Sequence, residues 1–181
     1  MAILTDAIPQ NEQRALLEKI LNEKDLLQAT YYYRFYLFEA IKKVGAPELF
    51  DVAQKPWEQM INEHMTTTLE RFESVEKPTR SEVHPWSASP AYFYFNYLAG
   101  IRSVQNNFEE VQIAPAFGKL NEITGLLPTS KGNIEFKLKR NKHKLSAEIT
   151  IPTTIKGNLI WHGTAIPLKK GKNTYTIKSR K

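Results

Sequence analysis

The 181-residue chain contains no cysteine, which excludes disulfides and thiolate metal ligands. It leaves the compartment open, because many exported proteins also do without the residue. Histidine is scarce, with four residues (His64, His84, His143 and His162), and none is spaced with carboxylates as a ligand set. No metal and no cofactor are therefore expected. There is no Gly-rich phosphate loop and no dinucleotide fingerprint. Ser87 and Ser89 lack the G-x-S-x-G surroundings of a nucleophile elbow. No apolar run reaches the roughly 18 residues that a membrane helix needs, so no membrane span is expected. The opening residues, Met1 to Pro9, carry no basic lead and too short an apolar stretch for a signal peptide. They read as a start methionine on a domain-sized piece.

What is present divides unevenly. Residues 1–105 hold 11 Lys/Arg against 14 Asp/Glu, whereas residues 106–181 hold 14 against 5, so the net +6 belongs to the second half. In the first half the apolar positions Leu16, Leu17, Ile20 and Leu21 repeat at helical spacing within Asn11–Glu23. Thr30–Val44 reads as a second helix, apolar nearly all round in its first turns and so expected to be enclosed. It stops at Gly45, with Pro47 just beyond. Pro56–His64 reads as a third helix and Ala91–Ile101 as a fourth, with residues 66–90 a long ordered loop between them. The second half alternates apolar with polar at Val111–Ile113, Ile134–Leu138, Leu145–Ile151 and Tyr175–Ile177. Turn signals punctuate it at Lys131-Gly132-Asn133, Arg140-Asn141-Lys142, Lys156-Gly157-Asn158 and Lys170-Gly171-Lys172. The expected fold is α+β in two domains: an all-α segment over 1–105 and an antiparallel β-sandwich over 106–181, with the change near 103–110.

The loop of residues 65–90 gathers carboxylates, an arginine, a histidine and a tryptophan between buried helices. Sugar-cleaving sites need carboxylates for acid–base work and an aromatic face against the C–H side of the ring. Thr66-Thr67-Thr68-Leu69-Glu70-Arg71, followed by Arg80-Ser81-Glu82-Val83-His84-Pro85-Trp86-Ser87-Ala88-Ser89-Pro90, resembles the closing part of bacterial α-L-rhamnosidases, glycoside hydrolase family 78. Leu98-Ala99-Gly100-Ile101-Arg102, Val111-Gln112-Ile113-Ala114-Pro115, Gly157–Trp161 and Pro167-Leu168-Lys169 extend the likeness into the second half.

The resemblance implies a partial (α/α)6 barrel followed by a C-terminal sandwich, and hydrolysis with inversion of terminal α-L-rhamnosyl residues. A rhamnose-containing glycan is the implied partner. Glu70 matches the general base, His84 the histidine that hydrogen-bonds the sugar, and Trp86 lies beside it. Tyr31–Tyr33 match the aromatic start of an inner barrel helix, so Tyr31 and Tyr33 join the substrate-binding set. The family's general acid lies upstream of anything here, so the chain alone is expected to be inactive. Exported relatives imply a periplasmic or extracellular parent. Val83 and Glu82 depart from the Cys and Asp of many relatives, which leaves substrate detail open.

Plainer readings stand beside these. By spacing alone Glu70 is a helix-end carboxylate pairing with Arg71, and Glu73, Glu76 and Glu82 are solvated or paired. Trp86 is either a stacking platform or a core anchor. His64, His143 and His162 are structural. The basic second half does not read as a nucleic-acid surface, because Lys137 and Lys139 alternate with core residues and so face solvent, guarding strand edges. An alternative keeps the chain non-catalytic, as a structural or carbohydrate-binding module using Trp161 or Tyr175. A third reading keeps the fold with another sugar. An open half-barrel would expose apolar surface, so self-association is expected.

Overall fold

The computed structural model describes residues 1–71 and 78–178. Helices fill the first part and two sheets the second, an α+β arrangement. The compact units are Met1–Phe93 and Tyr94–Lys181. Residues 94–105, grouped with the helices on sequence, thus belong to the second unit.

In the first unit, α1 (Gln10–Asn22) turns Leu17 fully inward. It also buries Gln13, whose amide donates to Asp6 Oδ1 at 2.9 Å and the Ile8 carbonyl at 3.3 Å. The second helix, α2 (Arg34–Val44), ends as its glycine requires. Gly45 adopts φ 71°, its N–H donates to Lys42 O at 3.2 Å, and Ala46 N–H reaches back to Ile41 O at 3.1 Å. This is a Schellman closure, and the apolar pair that accompanies it, Ala46 and Ile41, is fully buried. Phe38 of α2 centres an aromatic core, with Phe50 of α3 (Phe50–Gln54) at 4.7 Å, Trp57 of α4 (Trp57–Asn62) at 5.9 Å and Phe93 of α5 (Ser89–Phe93) at 5.1 Å.

Arg34 is buried in this unit because its guanidinium serves carbonyls that would otherwise be orphaned. It donates to Ala53 O, near the end of α3, at 2.8 Å and to Ala29 O at 3.1 Å. Burial lowers its pKa from the usual guanidinium value. The expected all-round enclosure of α2 does not hold. Tyr32, Tyr33, Phe35 and Tyr36 are exposed, leaving only one face of the helix on the core.

The helix expected over Ala91–Ile101 is shorter. After α5 the chain widens into a π-type turn over Tyr94–Leu98, and Gly100 at φ 71° turns it into β1 (Ile101–Ser103). A side chain at Gly100 would collide with the Ala114 carbonyl, so glycine is needed there for space as well as for conformation.

The second unit holds two four-stranded sheets. One has the order β1, β2 (Glu110–Ile113), β6 (Lys156–Trp161), β7 (Thr164–Pro167). The other runs β3 (Glu122–Thr129), β4 (Gly132–Asn141), β5 (Lys144–Ile151), β8 (Gly171–Lys178). Their inward residues share one core, Val111, Ile113, Leu159 and Trp161 from the first sheet with Ile134, Leu138, Leu145 and Ile149 from the second. The arrangement is sandwich-like, with one departure from the antiparallel expectation: β2 and β6 run parallel. Lys156-Gly157-Asn158, expected as a turn, opens β6, and the chain turns earlier, where Ile155 N–H donates to Pro152 O at 3.1 Å.

Candidate functional site

The loop after α4 is organised by backbone pairing of two extended segments. Glu70 N–H donates to Ser81 O at 2.9 Å, and His84 N–H donates to Thr68 O at 2.7 Å. Threonine hydroxyls close the same ladder from the side, Thr68 Oγ1 to His84 O at 2.6 Å and Thr67 Oγ1 to Glu82 O. Fully buried Leu69 anchors the first segment between them. Glu70 and His84, fourteen positions apart in sequence, thereby sit on neighbouring, hydrogen-bonded segments.

Beyond His84 the chain makes one tight turn over Pro85–Ser87, with Ser87 N–H donating to His84 O at 3.0 Å. The Ser87 carbonyl accepts from the buried Trp57 indole at 2.7 Å, which pins the turn to α4. Ser87 itself is fully buried, and Trp86, next to it, is turned outward at 68% exposure. The Trp86 ring lies 5.6 Å from the His84 ring and 5.4 Å from the Tyr32 ring. Within this chain Trp86 does not anchor the core. Trp57 fills that role.

Glu70 is gripped by Arg80, not by its neighbour Arg71. The Arg80 Nε approaches both carboxylate oxygens, at 3.1 and 3.2 Å, and Nη2 pairs with Oε1. Arg71 instead donates to the Pro78 carbonyl at 2.7 Å. The Arg80 fork holds the Glu70 carboxyl below its ordinary pKa, with smaller help from the charges of His84 and Arg71. The carboxylate is largely covered, whereas the guanidinium side of the pair is largely exposed. The group is thus kept anionic by a partner that has room to swing away.

The remaining residues divide. Tyr31 is fully buried, its hydroxyl donating to Pro56 O at 3.1 Å and its ring 4.9 Å from Trp57, so it offers no surface to a sugar. That corrects its reading as a substrate contact. Tyr33 is exposed, but it faces a small hollow of about 280 Å³ under the N-terminal segment, with Ile3 and Leu17. The tyrosine brought to Trp86 is Tyr32, which the sequence reading passed over. Arg80 was missed as well. No spacing rule singles it out, because it meets Glu70 only once the two segments pair. Glu82 is exposed and contributes its carbonyl, while Glu73 and Glu76 lie outside the described residues. Among the described residues no group of three or more histidines and carboxylates could hold a metal, and no helix is long and apolar enough to cross a membrane.

Comparison with known proteins finds α-L-rhamnosidases both by sequence and by structure. Residues 100–175 match the model of the bacterial α-L-rhamnosidase C-terminal domain. An α-L-rhamnosidase of Formosa agariphila is 26% identical over 136 residues, 69% of this chain and 14% of that protein. The structure of the α-L-rhamnosidase from Dictyoglumus thermophilum superposes with a TM-score of 0.76 at 20% identity, over 98% of this chain and 25% of that one. The Streptomyces avermitilis α-L-rhamnosidase complexed with L-rhamnose gives 0.67 at 16% identity, over 96% and 19%. The chain is similar to the C-terminal portion of bacterial α-L-rhamnosidases, and it spans a quarter or less of the length of these relatives.

Proposed function

We propose that this chain is the C-terminal portion of an inverting α-L-rhamnosidase, contributing the general base Glu70 and the sugar contact His84. In this reading the helices belong to an (α/α)6 barrel, and the general acid comes from sequence outside the chain. An inverting glycosidase places a water between sugar and base, with the two carboxyls roughly 6.5–9.5 Å apart. Glu70, already anionic, accepts the proton of that water as it attacks the anomeric carbon. A carboxylate offers about four acceptor positions, and the Arg80 contacts leave one for this proton. His84 hydrogen-bonds a sugar hydroxyl, and exposed Trp86, backed by Tyr32, offers its face to the C–H side of the ring. The glycan is a rhamnose-containing one, as the rhamnose-bound relative suggests.

The observation that carries the reading is the ladder joining residues 67–70 to 81–84, which puts a carboxylate and an imidazole on adjacent segments beside an outward tryptophan. The test is Glu70→Gln in an active rhamnosidase that contains this chain. A fall in kcat of about 10²–10⁴-fold with KM retained supports the base role. A further expectation is that this chain alone releases no detectable product from an aryl α-L-rhamnoside.

One observation favours a second reading, in which the segment is non-catalytic. The Arg80 fork occupies both Glu70 oxygens, as a purely structural ion pair would. Unchanged turnover in the Glu70→Gln enzyme selects that reading.

A further inference from the structure

The second unit carries a hollow that none of this uses. It is an open depression of about 910 Å³ between the loop after β1 and the turn joining β3 to β4. Sites for small molecules occupy roughly 300–1,000 Å³. No charged side chain lines it, and the ammonium of Lys131, next in sequence to Ser130, is paired with Glu109 at 3.7 Å. A phosphate or carboxylate ligand would find no counter-charge, and a cation would find no carboxylate. The lining mixes neutral polar side chains with apolar Val104, Phe108 and Pro128.

The polar groups fall into two sets. Ser103, Gln105 and Thr129 are spent on shaping the walls: the Ser103 hydroxyl donates to Gln105 O, the Gln105 amide to Glu110 Oε2 at 3.3 Å, and Thr129 Oγ1 to Gly132 O at 2.6 Å. Asn106, Asn107 and Ser130 make no side-chain hydrogen bond to any described residue and face solvent at the rim. Two free carboxamides and a hydroxyl, each both donor and acceptor, match vicinal hydroxyls better than any charged group would. Phe108, partly buried on the unit's core, supplies the apolar wall.

The loop that presents them is strained. Asn107 sits at φ 57°, ψ 28° and Phe108 at φ 55°, two left-handed residues in succession. Asparagine tolerates that region, but a bulky aromatic adopts it at a cost. Phe117 also has a positive φ, 61°, but its ring is fully buried against Trp161, so packing offsets the cost. Phe108 lacks full burial. Strain of this kind collects where a ligand is held.

We infer that the hollow between residues 103–108 and 128–130 is a binding subsite for a neutral saccharide, with Asn106, Asn107 and Ser130 reading hydroxyls and Phe108 meeting the ring's apolar side. It shares no residue with the Glu70–His84 segment. The inference rests on the glycosidase reading only for the choice of rhamnoside as probe.

The test is amide NMR on this chain, titrated in turn with methyl α-L-rhamnoside, methyl α-D-glucoside and glycerol. Saturable shifts confined to residues 104–108, 129 and 130 are expected with a glycoside and not with glycerol. Asn107→Gly keeps the left-handed backbone open while deleting the amide, so the unit stays folded. Combined with Asn106→Ala it should weaken binding at least about tenfold, the effect of losing one or two hydrogen bonds. Glu70→Gln should leave these shifts untouched. Absence of saturation with both glycosides, equal shifts with glycerol, or full affinity in the double variant would each overturn the inference. Saturation with the glucoside alone would uphold it and count against rhamnose as the chain's sugar.

Discussion

Arg80 decides how Glu70 behaves at the residue scale. A carboxyl whose folded pKa lies below its unfolded value contributes stability that is full above the ordinary carboxylate range. That contribution is lost as pH falls through the lowered value. The Glu70–Arg80 pair should therefore hold the loop at neutral pH and release it only in acid, below the usual glutamate range. In Arg80→Ala the principal cause of the shift is gone, so Glu70 should titrate higher, toward its ordinary value. A carbon-detected NMR titration of the Glu70 carboxyl reads this directly, and an unmoved midpoint would show that Arg80 does not set it. In a parent enzyme the same substitution should move the acidic limb of the kcat/KM profile upward, because the base of the free enzyme would be protonated at higher pH. Sequence could nominate Glu70, His84 and Trp86 because the motif carries them. It could not reveal Arg80 as the partner, because Arg80 comes beside Glu70 only when the two segments pair, and adjacent Arg71 looked nearer.

Elements owe their placement to local chemistry that the sequence displays unevenly. Strands β4 and β5 were legible because alternation runs unbroken, one face on the core and the other in water. Strand β3 was hidden by Gly125 and Pro128, which usually break strands. Both are tolerated on this edge strand, where the Phe136 ring covers Gly125 from β4 and Pro128 needs no ladder donor. The π-type turn and β1 were hidden because Tyr94–Leu98 keeps helical composition up to the glycine.

Gly100 and Gly45 separate two roles for that residue. A side chain at Gly45 would meet open space, so Gly45→Ala should cost about 1–2 kcal/mol, the left-handed conformation alone. Gly100→Ala adds a collision with the Ala114 backbone and should cost more, beyond about 3 kcal/mol. Denaturant melts followed by a probe in each unit measure both, and equal losses would show that the Ala114 approach is not rigid. Leu69, fully buried beneath the paired segments, sets the loop's own stability. Leu69→Ala should cost about 2–5 kcal/mol in the first unit and raise amide exchange across residues 67–70 and 81–84.

At the scale of the whole molecule, apolar surface and charge pull in opposite directions. Tyr32, Tyr33, Phe35, Tyr36, Trp86 and Tyr92 all stand exposed on the helical unit, more aromatic surface than soluble monomers usually leave in water. The chain also carries a net charge of +6, with +9 from residues 106–181 set against −3 from residues 1–105, and like net charge opposes close approach at low ionic strength. If the aromatic face drives association, screening should favour it. Raising salt from about 10 to 150 mM shortens the Debye length from roughly 30 to 8 Å, removing repulsion while leaving burial of aromatics intact. We therefore expect light scattering to report a concentration-dependent mass above that of one chain, rising with salt. Tyr92→Ser with Phe35→Ser should bring it back to the monomer. Association driven by ion pairs would fall with salt instead. A monomeric mass at high concentration in both salts would mean that the exposed aromatics are tolerated singly, and the open-face account of the helical unit would fail.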